Sequence, residues 1–291
     1  MSAEARRKLR EKQMPGMDAH GVVKRRSLIG IAMMQVLLGL MQPAAAGSLE
    51  LCADADAERQ ILLCTAAIEG TVGEAQLSQA YDNRGIAYAR EGQAERALSD
   101  FNQAIRLSPS NAVAFTNRGK LFLDMGEIDR AIADYAEEPT DGQAYGGRGV
   151  GYLRSGHFDL ALEDLNVAVR LRPNDFEVRN NRGTAHYKTG TTDLAIEDYT
   201  EAIRLNPRHA GAYYNRGNAL ARIGQLDRAL SNFTEAIRLN PGDPWAYYNR
   251  GAVYVLQHNR DAAIADMREV LRISPTHERA KYALKQLGAD P

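Results

Sequence analysis

Residues 210–243 read AGAYYNRGNALARIGQLDRALSNFTEAIRLNPGD, and variants of this 34-residue unit fill most of the chain. An Asn-Arg-Gly tripeptide, changed once to Gly-Arg-Gly, marks each copy and begins at Asn83, Asn117, Gly147, Asn181, Asn215 and Asn249. The steps between the tripeptides are 34, 30, 34, 34 and 34 residues. A fixed period of this length is typical of stacked repeats, because each small unit buries its apolar face only against a neighbour.

Each copy reads as two short helices joined by a turn. In the quoted unit, Tyr213, Gly217 and Leu220 have the spacing of one helix face. Gly224 then ends the first helix and Pro241 ends the second, since glycine favours the left-handed conformation after a helix and proline cannot continue one. The sequence therefore predicts an all-α protein.

The spacing of small, aromatic and proline residues resembles the tetratricopeptide repeat, a helix-turn-helix unit. Unit 78–111 carries the pattern in full, with Tyr81, Gly85, Tyr88, Ala97, Phe101, Ala104 and Pro109. The resemblance implies a right-handed α-α superhelix that binds proteins or peptides. Its six units are 78–111, 112–141, 142–175, 176–209, 210–243 and 244–277, and residues 278–291 are the capping helix and tail.

Two polar positions recur inside the units. The seventh residue is Arg in all six units, and the twenty-third is Asp in five and Asn in one. Because these positions lie on the facing helices of one unit, we predict hydrogen-bonded pairs with a structural role. The pairs are Arg84–Asp100, Arg118–Asp134, Arg148–Asp164, Arg182–Asp198, Arg216–Asn232 and Arg250–Asp266.

The second unit, 112–141, is shorter than the others and reaches its proline four residues early, at Pro139. Four residues are about one helical turn, so the second helix should be shorter without a change of phase. Each interior glycine lowers helix stability by about 1 kcal/mol relative to alanine. Because the next first helix holds several glycines, we predict a hinge or pinch at 136–151; the glycines are Gly142, Gly146, Gly147, Gly149 and Gly151.

The resemblance also implies a concave groove lined by one face of the first helices. In this sequence that face carries basic side chains together with Tyr and Asn. Aromatic area, amide hydrogen bonds and charge are the chemistry that peptide recognition uses. The candidate groove residues are Arg90, Arg154, Asn180, Tyr187, Lys188, Tyr214, Asn218, Arg222 and Tyr248. A solvated face without a ligand is the alternative interpretation.

The sequence contains no motif that would support catalysis. It has no H-E-x-x-H, G-x-S-x-G or Cys/His constellation, and its glycine run at 146–151 falls in an expected helix rather than between a strand and a helix. We therefore expect no enzyme activity, no metal and no cofactor. Residues 47–291 carry 28 basic and 34 acidic residues, a net charge of −6, which disfavours nucleic acid as a partner.

Residues 1–46 have the three parts of a secretory signal peptide. Lys24, Arg25 and Arg26 precede an apolar run at 28–41, and small residues follow up to Ala46. We predict cleavage after Ala46 and a periplasmic or secreted product. The alternative is an inner-membrane anchor that is not cleaved, although the run is shorter than the roughly 20 residues that a span needs.

The two cysteines, Cys52 and Cys64, both follow the predicted cleavage point. An exported chain with one close cysteine pair favours a disulfide, which would stabilise the fold by roughly 3 kcal/mol. Two buried free thiols are the alternative. We predict that 47–77 is an N-terminal helical segment tied by this disulfide, with its helix near 57–68.

Together these features predict an interaction scaffold or adaptor in the bacterial cell envelope, with a protein or peptide partner in its concave groove. Two alternatives remain open. One is an accessory or regulatory subunit of an envelope enzyme, and the other is a self-associating structural repeat protein. We expect membrane contact only if the N-terminal segment stays uncleaved.

Overall fold

The structure is a computed structural model, and it describes residues 52, 56–70, 73–137 and 141–290. Fourteen α-helices follow one another in these ranges. These ranges contain no β-strand. The predicted signal peptide at 1–46 lies outside the described residues. The helices are α1 Ala57–Glu69, α2 Glu74–Arg90, α3 Ala94–Leu107, α4 Ala112–Met125, α5 Ile128–Ala136, α6 Gly142–Ser155, α7 Phe158–Leu171, α8 Phe176–Thr189, α9 Thr192–Leu205, α10 Ala210–Arg222, α11 Leu226–Leu239, α12 Pro244–Leu256, α13 Arg260–Ile273 and α14 Glu278–Gln286.

The helices pack in chain order. Each one contacts the helix before it and the helix after it, so that α2 to α13 form six successive pairs, with α1 before them and α14 after them. The described chain is therefore an all-α solenoid, and the predicted fold class is confirmed. The first helix of each pair is α2, α4, α6, α8, α10 or α12.

The turn inside most pairs depends on a glycine in the left-handed region. Gly126 and Gly190 have φ angles of 80° and 87°, and Gly92, Gly156 and Gly224 adopt the same conformation. A residue without Cβ enters this region at no steric cost. In the last unit His258 takes the same place with a φ of 58°, and it is the one non-glycine residue with positive φ in the described ranges.

The core is built where a large side chain of a second helix lies against a glycine of the first. A Cβ added to Gly85 would lie 2.7 Å from Cε1 of Phe101, and one added to Gly217 would lie 2.8 Å from Cε1 of Phe233. Both phenylalanines are 1% exposed. The recurring glycine of the tripeptide therefore lets the two helices of a unit approach closely enough to bury the ring.

The short second unit shortens one helix. α5 has nine residues, whereas the second helices of the other five units have fourteen each. α6 begins at Gly142 and runs unbroken through all five of its glycines. The shorter helix agrees with the 30-residue step, and the hinge at 136–151 stays a prediction.

The N-terminal end differs in one respect from the expected organisation. α1 lies close to its predicted position, but α2 begins at Glu74 and crosses the expected boundary between 77 and 78. Ser78, the first residue after this extra turn, is buried, and its hydroxyl donates a 2.9 Å hydrogen bond to the Ala104 carbonyl. Cys52 and Cys64 are both fully buried and joined in a disulfide that ties the chain before α1 to that helix.

Candidate functional site

The first helices form the inner face of the solenoid. First helices of successive units contact each other from α2 to α12, whereas the described second helices have no comparable contacts with one another. A stack that is closer on one side than on the other curves toward the closer side. The first helices therefore line the concave face, where the sequence places the candidate groove residues.

The structure brings together all six predicted pairs, and they lie inside the units. In the aspartate pairs the arginine donates from Nε and Nη2 to the two carboxylate oxygens, as in Arg84 with Asp100 at 2.7 and 2.9 Å. Asp100 is 4% exposed. In the sixth pair, Arg216 donates one hydrogen bond to its partner, from Nε to Asn232 Oδ1 at 2.9 Å. Paired and buried to this degree, these arginines support the fold rather than a ligand.

The same arginines also reach the unit before them, which the sequence analysis did not predict. Arg182 donates from Nη1 to Asn166 at 3.1 Å, and Arg250 donates in the same way to Thr234 at 3.1 Å. At the short unit the equivalent position is Ala136, and Arg148 has no such bond to a described residue. The twenty-fifth residue of a unit, Asn or Thr in four of six, was the available signal.

A second set of hydrogen bonds crosses between first helices, and we call it the amide ladder. In three of the five units that have it, the tripeptide Asn donates to the first helix of the preceding unit. Asn117 donates to Asp82 at 3.0 Å, and Asn215 donates to Asn180 at 3.0 Å. Asn249 donates to the Tyr214 hydroxyl at 3.0 Å and to Asn218 Oδ1 at 2.8 Å. Three predicted groove residues, Asn180, Tyr214 and Asn218, therefore lie in this ladder.

The amide ladder is interrupted in the third unit, 142–175, which follows the short one. Gly147 stands where the other units have the tripeptide Asn, and Gly146 stands where Asp82 and Asn180 accept. Asn181 therefore has no hydrogen-bond partner among the described residues. A cavity of about 500 Å³ opens beside it, lined by residues that include Tyr135, Gly146, Gly147 and Asn181.

The predicted basic residues are partly used by the solenoid itself. Arg154 donates to the Leu123 carbonyl at 2.5 Å, and Arg90 donates to Gln60 at 3.4 Å. Arg222 donates to the Tyr187 carbonyl at 2.5 Å and lies 4.3 Å from the centre of that ring. Arg154 and Arg222 each bond to the first helix of the preceding unit, and Arg90 bonds to α1, while their other N–H groups remain available. Lys188 is exposed and makes no hydrogen bond within the described ranges.

Burial shifts the pKa of two groups on this face. Asp82 is 5% exposed, and burial raises its pKa to about 6. The hydrogen bond from Asn117 lowers the pKa, but by less than burial raises it. Burial also raises the pKa of Tyr214. The Tyr214 hydroxyl therefore keeps its proton and can still donate a hydrogen bond.

The last predicted groove residue, Tyr248, lies apart from the amide ladder. Its ring packs against Trp245 and His277, with ring centres 6.1 and 5.3 Å away. Tyr248 lines an apolar cavity of about 510 Å³ together with Val255 and Tyr282. The candidate residues therefore divide into a central group around the ladder and one residue at the C-terminal end.

The described part of the chain contains neither a candidate metal site nor a candidate membrane-spanning helix. It holds no group of three or more His, Cys, Asp or Glu side chains placed to bind a metal ion. No described helix has both the length and the hydropathy that crossing a bilayer requires.

Several solved structures are similar to this chain. The chain of the APC/C hetero-tetramer Cut9–Hcn1 superposes with a TM-score of 0.71 at 20% identity, covering 88% of this chain and 51% of that one. This chain therefore spans about half the length of that relative. PilW, described as a type IV pilus biogenesis factor, has a TM-score of 0.66 at 16% identity, covering 72% and 99% of the two chains.

A third solved structure is closer in sequence. YrrB, described as a TPR protein with an unusual peptide-binding site, has a TM-score of 0.53 at 28% identity, covering 64% of this chain and 97% of its own. No curated protein sequence matches the chain significantly.

The sequence profile described as "Tetratricopeptide repeat" matches residues 147–210, 182–244 and 214–278. A profile described as "TPR repeat" matches residues 85–126. Both profiles fall on the helix pairs, and the six-unit frame and the solenoid agree with them. The chain belongs to the tetratricopeptide-repeat family.

Proposed function

We propose that the protein is an interaction scaffold that binds an extended segment of a partner protein along its concave face. The observation that carries this proposal is the amide ladder. An Asn side chain has two N–H donors and an oxygen with two lone pairs, and each ladder bond uses one donor and one lone pair. Asn180 and Asn218 therefore keep free capacity that can bond the main-chain groups of a peptide.

Neighbouring side chains add the other elements of a peptide site. The Tyr187 ring and the Arg222 guanidinium lie against each other at 4.3 Å, and Lys188 is exposed beside them. A tyrosine held in place offers contact area at low entropic cost, and the free N–H groups of Arg222 suit a carboxylate of the partner. The peptide-binding site named for YrrB supports the same class of ligand.

The proposal is tested by selecting binders from random dodecapeptides displayed on phage against the purified chain. We expect the selected peptides to lose about tenfold in affinity with Lys188→Ala and with Asn218→Ala, the change that about 1.4 kcal/mol produces. Arg238→Ala is the matched control, because Arg238 is exposed on the second helix α11. A selection that yields no binder, or binders sensitive to Arg238→Ala alone, would contradict the proposal.

We also propose that the scaffold works in the bacterial cell envelope. The signal-like segment at 1–46 and the buried Cys52–Cys64 disulfide support export, because disulfides persist in oxidising compartments. Osmotic-shock fractionation of bacterial cells that express the full chain should release a product that begins at Gly47, with both cysteines oxidised. A cytoplasmic product that retains residues 1–46 would argue against export.

A further inference from the structure

The cavity beside the short unit exists because side chains are missing from α6. Gly147 is required by packing, since a Cβ there would lie 2.4 Å from Cζ of Tyr135. Gly146 is not required in this way, because its Cβ would meet Val178 Cγ2 at 3.5 Å and Ala168 Cβ at 3.8 Å, which are ordinary contact distances. The neighbouring side chains therefore leave room for at least a methyl group at 146, and packing does not require a glycine there.

Two polar groups border the open space without a partner. Tyr135 is 3% exposed, and its hydroxyl makes no hydrogen bond to any described residue, although the equivalent Tyr199 hydroxyl bonds to Thr184 at 3.3 Å. The Asn181 amide also lacks the acceptor that Asn215 finds in Asn180. Asn181 is only half-buried and the Tyr135 hydroxyl still reaches solvent, so water satisfies both groups in the free chain. A ligand that displaces this water must replace its hydrogen bonds, so the cavity favours a polar group over an apolar one.

The charges around the cavity indicate what kind of group fits. Three basic and three acidic side chains line it, namely Lys120, Arg154, Arg172, Asp124, Asp175 and Glu177. Arg172 and Asp175 are paired at 3.1 Å, and the set as a whole is neutral. A charged ligand group would lose its hydration without a net opposite charge to compensate it. A neutral group that both accepts and donates hydrogen bonds fits better.

We propose that this cavity binds the side-chain amide of an Asn or Gln from an extended partner segment, in the place of the side chain that residue 146 lacks. The amide oxygen accepts from Asn181, as Asn180 accepts from Asn215, and the Tyr135 hydroxyl donates to the same amide. We assign a side chain rather than a main-chain group because the occupant takes the place of the side chain that residue 146 lacks. This inference rests on the proposed function and names the chemistry that the groove selects.

The test uses dodecapeptides selected on the wild-type chain and then synthesised. We expect them to share an Asn or Gln at one position, and its replacement by Leu or Glu should weaken binding about tenfold. Gly146→Asn should weaken binding at least as much, because its side chain fills the space and pairs with Asn181. Tyr135→Phe should weaken binding roughly three- to tenfold and leave the melting temperature unchanged, because the hydroxyl has no partner among the described residues.

Two controls make the result decisive. The melting temperature of Gly146→Asn should equal or exceed that of the wild type, so that weaker binding cannot be due to unfolding. Gly146→Ala fills less of the space and should weaken binding less than Gly146→Asn does. Gly242 lies in the loop before α12, and a Cβ there would make no contact closer than 3.7 Å. The control variant Gly242→Ala should therefore leave binding unchanged. Peptides that bind without an Asn or Gln, or that bind Gly146→Asn as well as wild type, would overturn the inference.

The two proposals can fail separately. If selected peptides lose affinity with Lys188→Ala but not with Gly146→Asn, the groove binds peptides and the amide recess is refuted. If Gly146→Asn blocks binding while replacing the peptide's Asn or Gln has no effect, a main-chain group occupies the recess and the side-chain assignment is wrong. If no peptide binds, both proposals fail.

Discussion

Arg216 donates one hydrogen bond to Asn232. Arg250, at the equivalent position of the next unit, donates to both carboxylate oxygens of Asp266, at 2.9 and 2.7 Å. The difference changes the pKa of the guanidinium. Burial lowers the pKa of Arg216, while the hydrogen bond to Asp266 raises that of Arg250. The fifth unit therefore holds a partly buried cation that lacks the counter-ion present in the other five units.

The first prediction is that Asn232→Asp stabilises the solenoid by about 1 kcal/mol, because it supplies a second charge-assisted hydrogen bond to Arg216. Asp266→Asn, which copies the fifth unit in the sixth, should destabilise it by about 2 kcal/mol. Melting temperatures at neutral pH would measure both changes. Equal melting temperatures for the two variants would show that the pairs contribute nothing to stability.

The second prediction concerns Asp82 and pH. Its pKa in the folded chain is about 6, above the value near 4 of an unfolded aspartate, so ionisation destabilises the fold. The protonated Asp82 carboxyl therefore makes its full contribution to the free energy of unfolding below about pH 4, and this contribution is lost as the pH rises through about 6. Asp82→Asn keeps an acceptor for Asn117, as in the Asn180–Asn215 bond, and removes the charge.

We therefore expect Asp82→Asn to raise the free energy of unfolding by roughly 1–3 kcal/mol at pH 8 and to change it little at pH 4. Urea unfolding at the two pH values would measure the difference. A variant that is less stable than wild type at pH 8 would mean that the carboxylate, rather than its acceptor atoms alone, is needed there.

The third prediction concerns His258, whose φ of 58° lies where the other units have glycine. A residue with a Cβ is strained in this region by roughly 1–2 kcal/mol. His258→Gly should therefore stabilise the last unit by about 1 kcal/mol, and Gly224→Ala should destabilise the chain by a similar amount. Thermal unfolding of the two variants side by side would test this, and a drop in stability for His258→Gly would show that the imidazole contributes more than its strain costs.

The fourth prediction separates two adjacent glycines of α6. Gly146→Ala should raise stability by about 0.5–1 kcal/mol, since it removes a helix-interior glycine without a close contact. Gly147→Ala should lower stability by roughly 1–3 kcal/mol, because the new methyl group would overlap the Tyr135 ring. If both variants were equally stable, the Tyr135 ring would have moved, and the recess would not have the shape described above.

The repeat period was enough to predict the helix pairs, the solenoid and the partners of the six arginines. These features depend on spacings inside one 34-residue unit, and such spacings can be read directly from the sequence. The left-handed turns could be anticipated for the same reason, as glycine recurs at one position of five units.

The contacts between units could not be predicted in the same way. Asn117 reaches Asp82 and Arg222 reaches Tyr187 across separations of 35 residues, and these contacts depend on how far each unit rotates against the next. From the sequence alone, Arg154 and Arg222 are therefore predicted to bind the ligand, and the tripeptide Asn has no predicted role. The interruption at Gly146 becomes visible only once the amide ladder is known.

The central claim, that a partner lies on the concave face, is tested most directly by crosslinking inside the cell. A photoreactive amino acid replaces Lys188 or Tyr248 on the first helices, and Arg204 or Arg238 on the second helices serves as the matched control. We predict that the first-helix probes capture a partner protein, that a selected dodecapeptide competes with this capture, and that the second-helix probes capture nothing. Capture from Arg204 or Arg238 with none from Lys188 or Tyr248 would contradict the account.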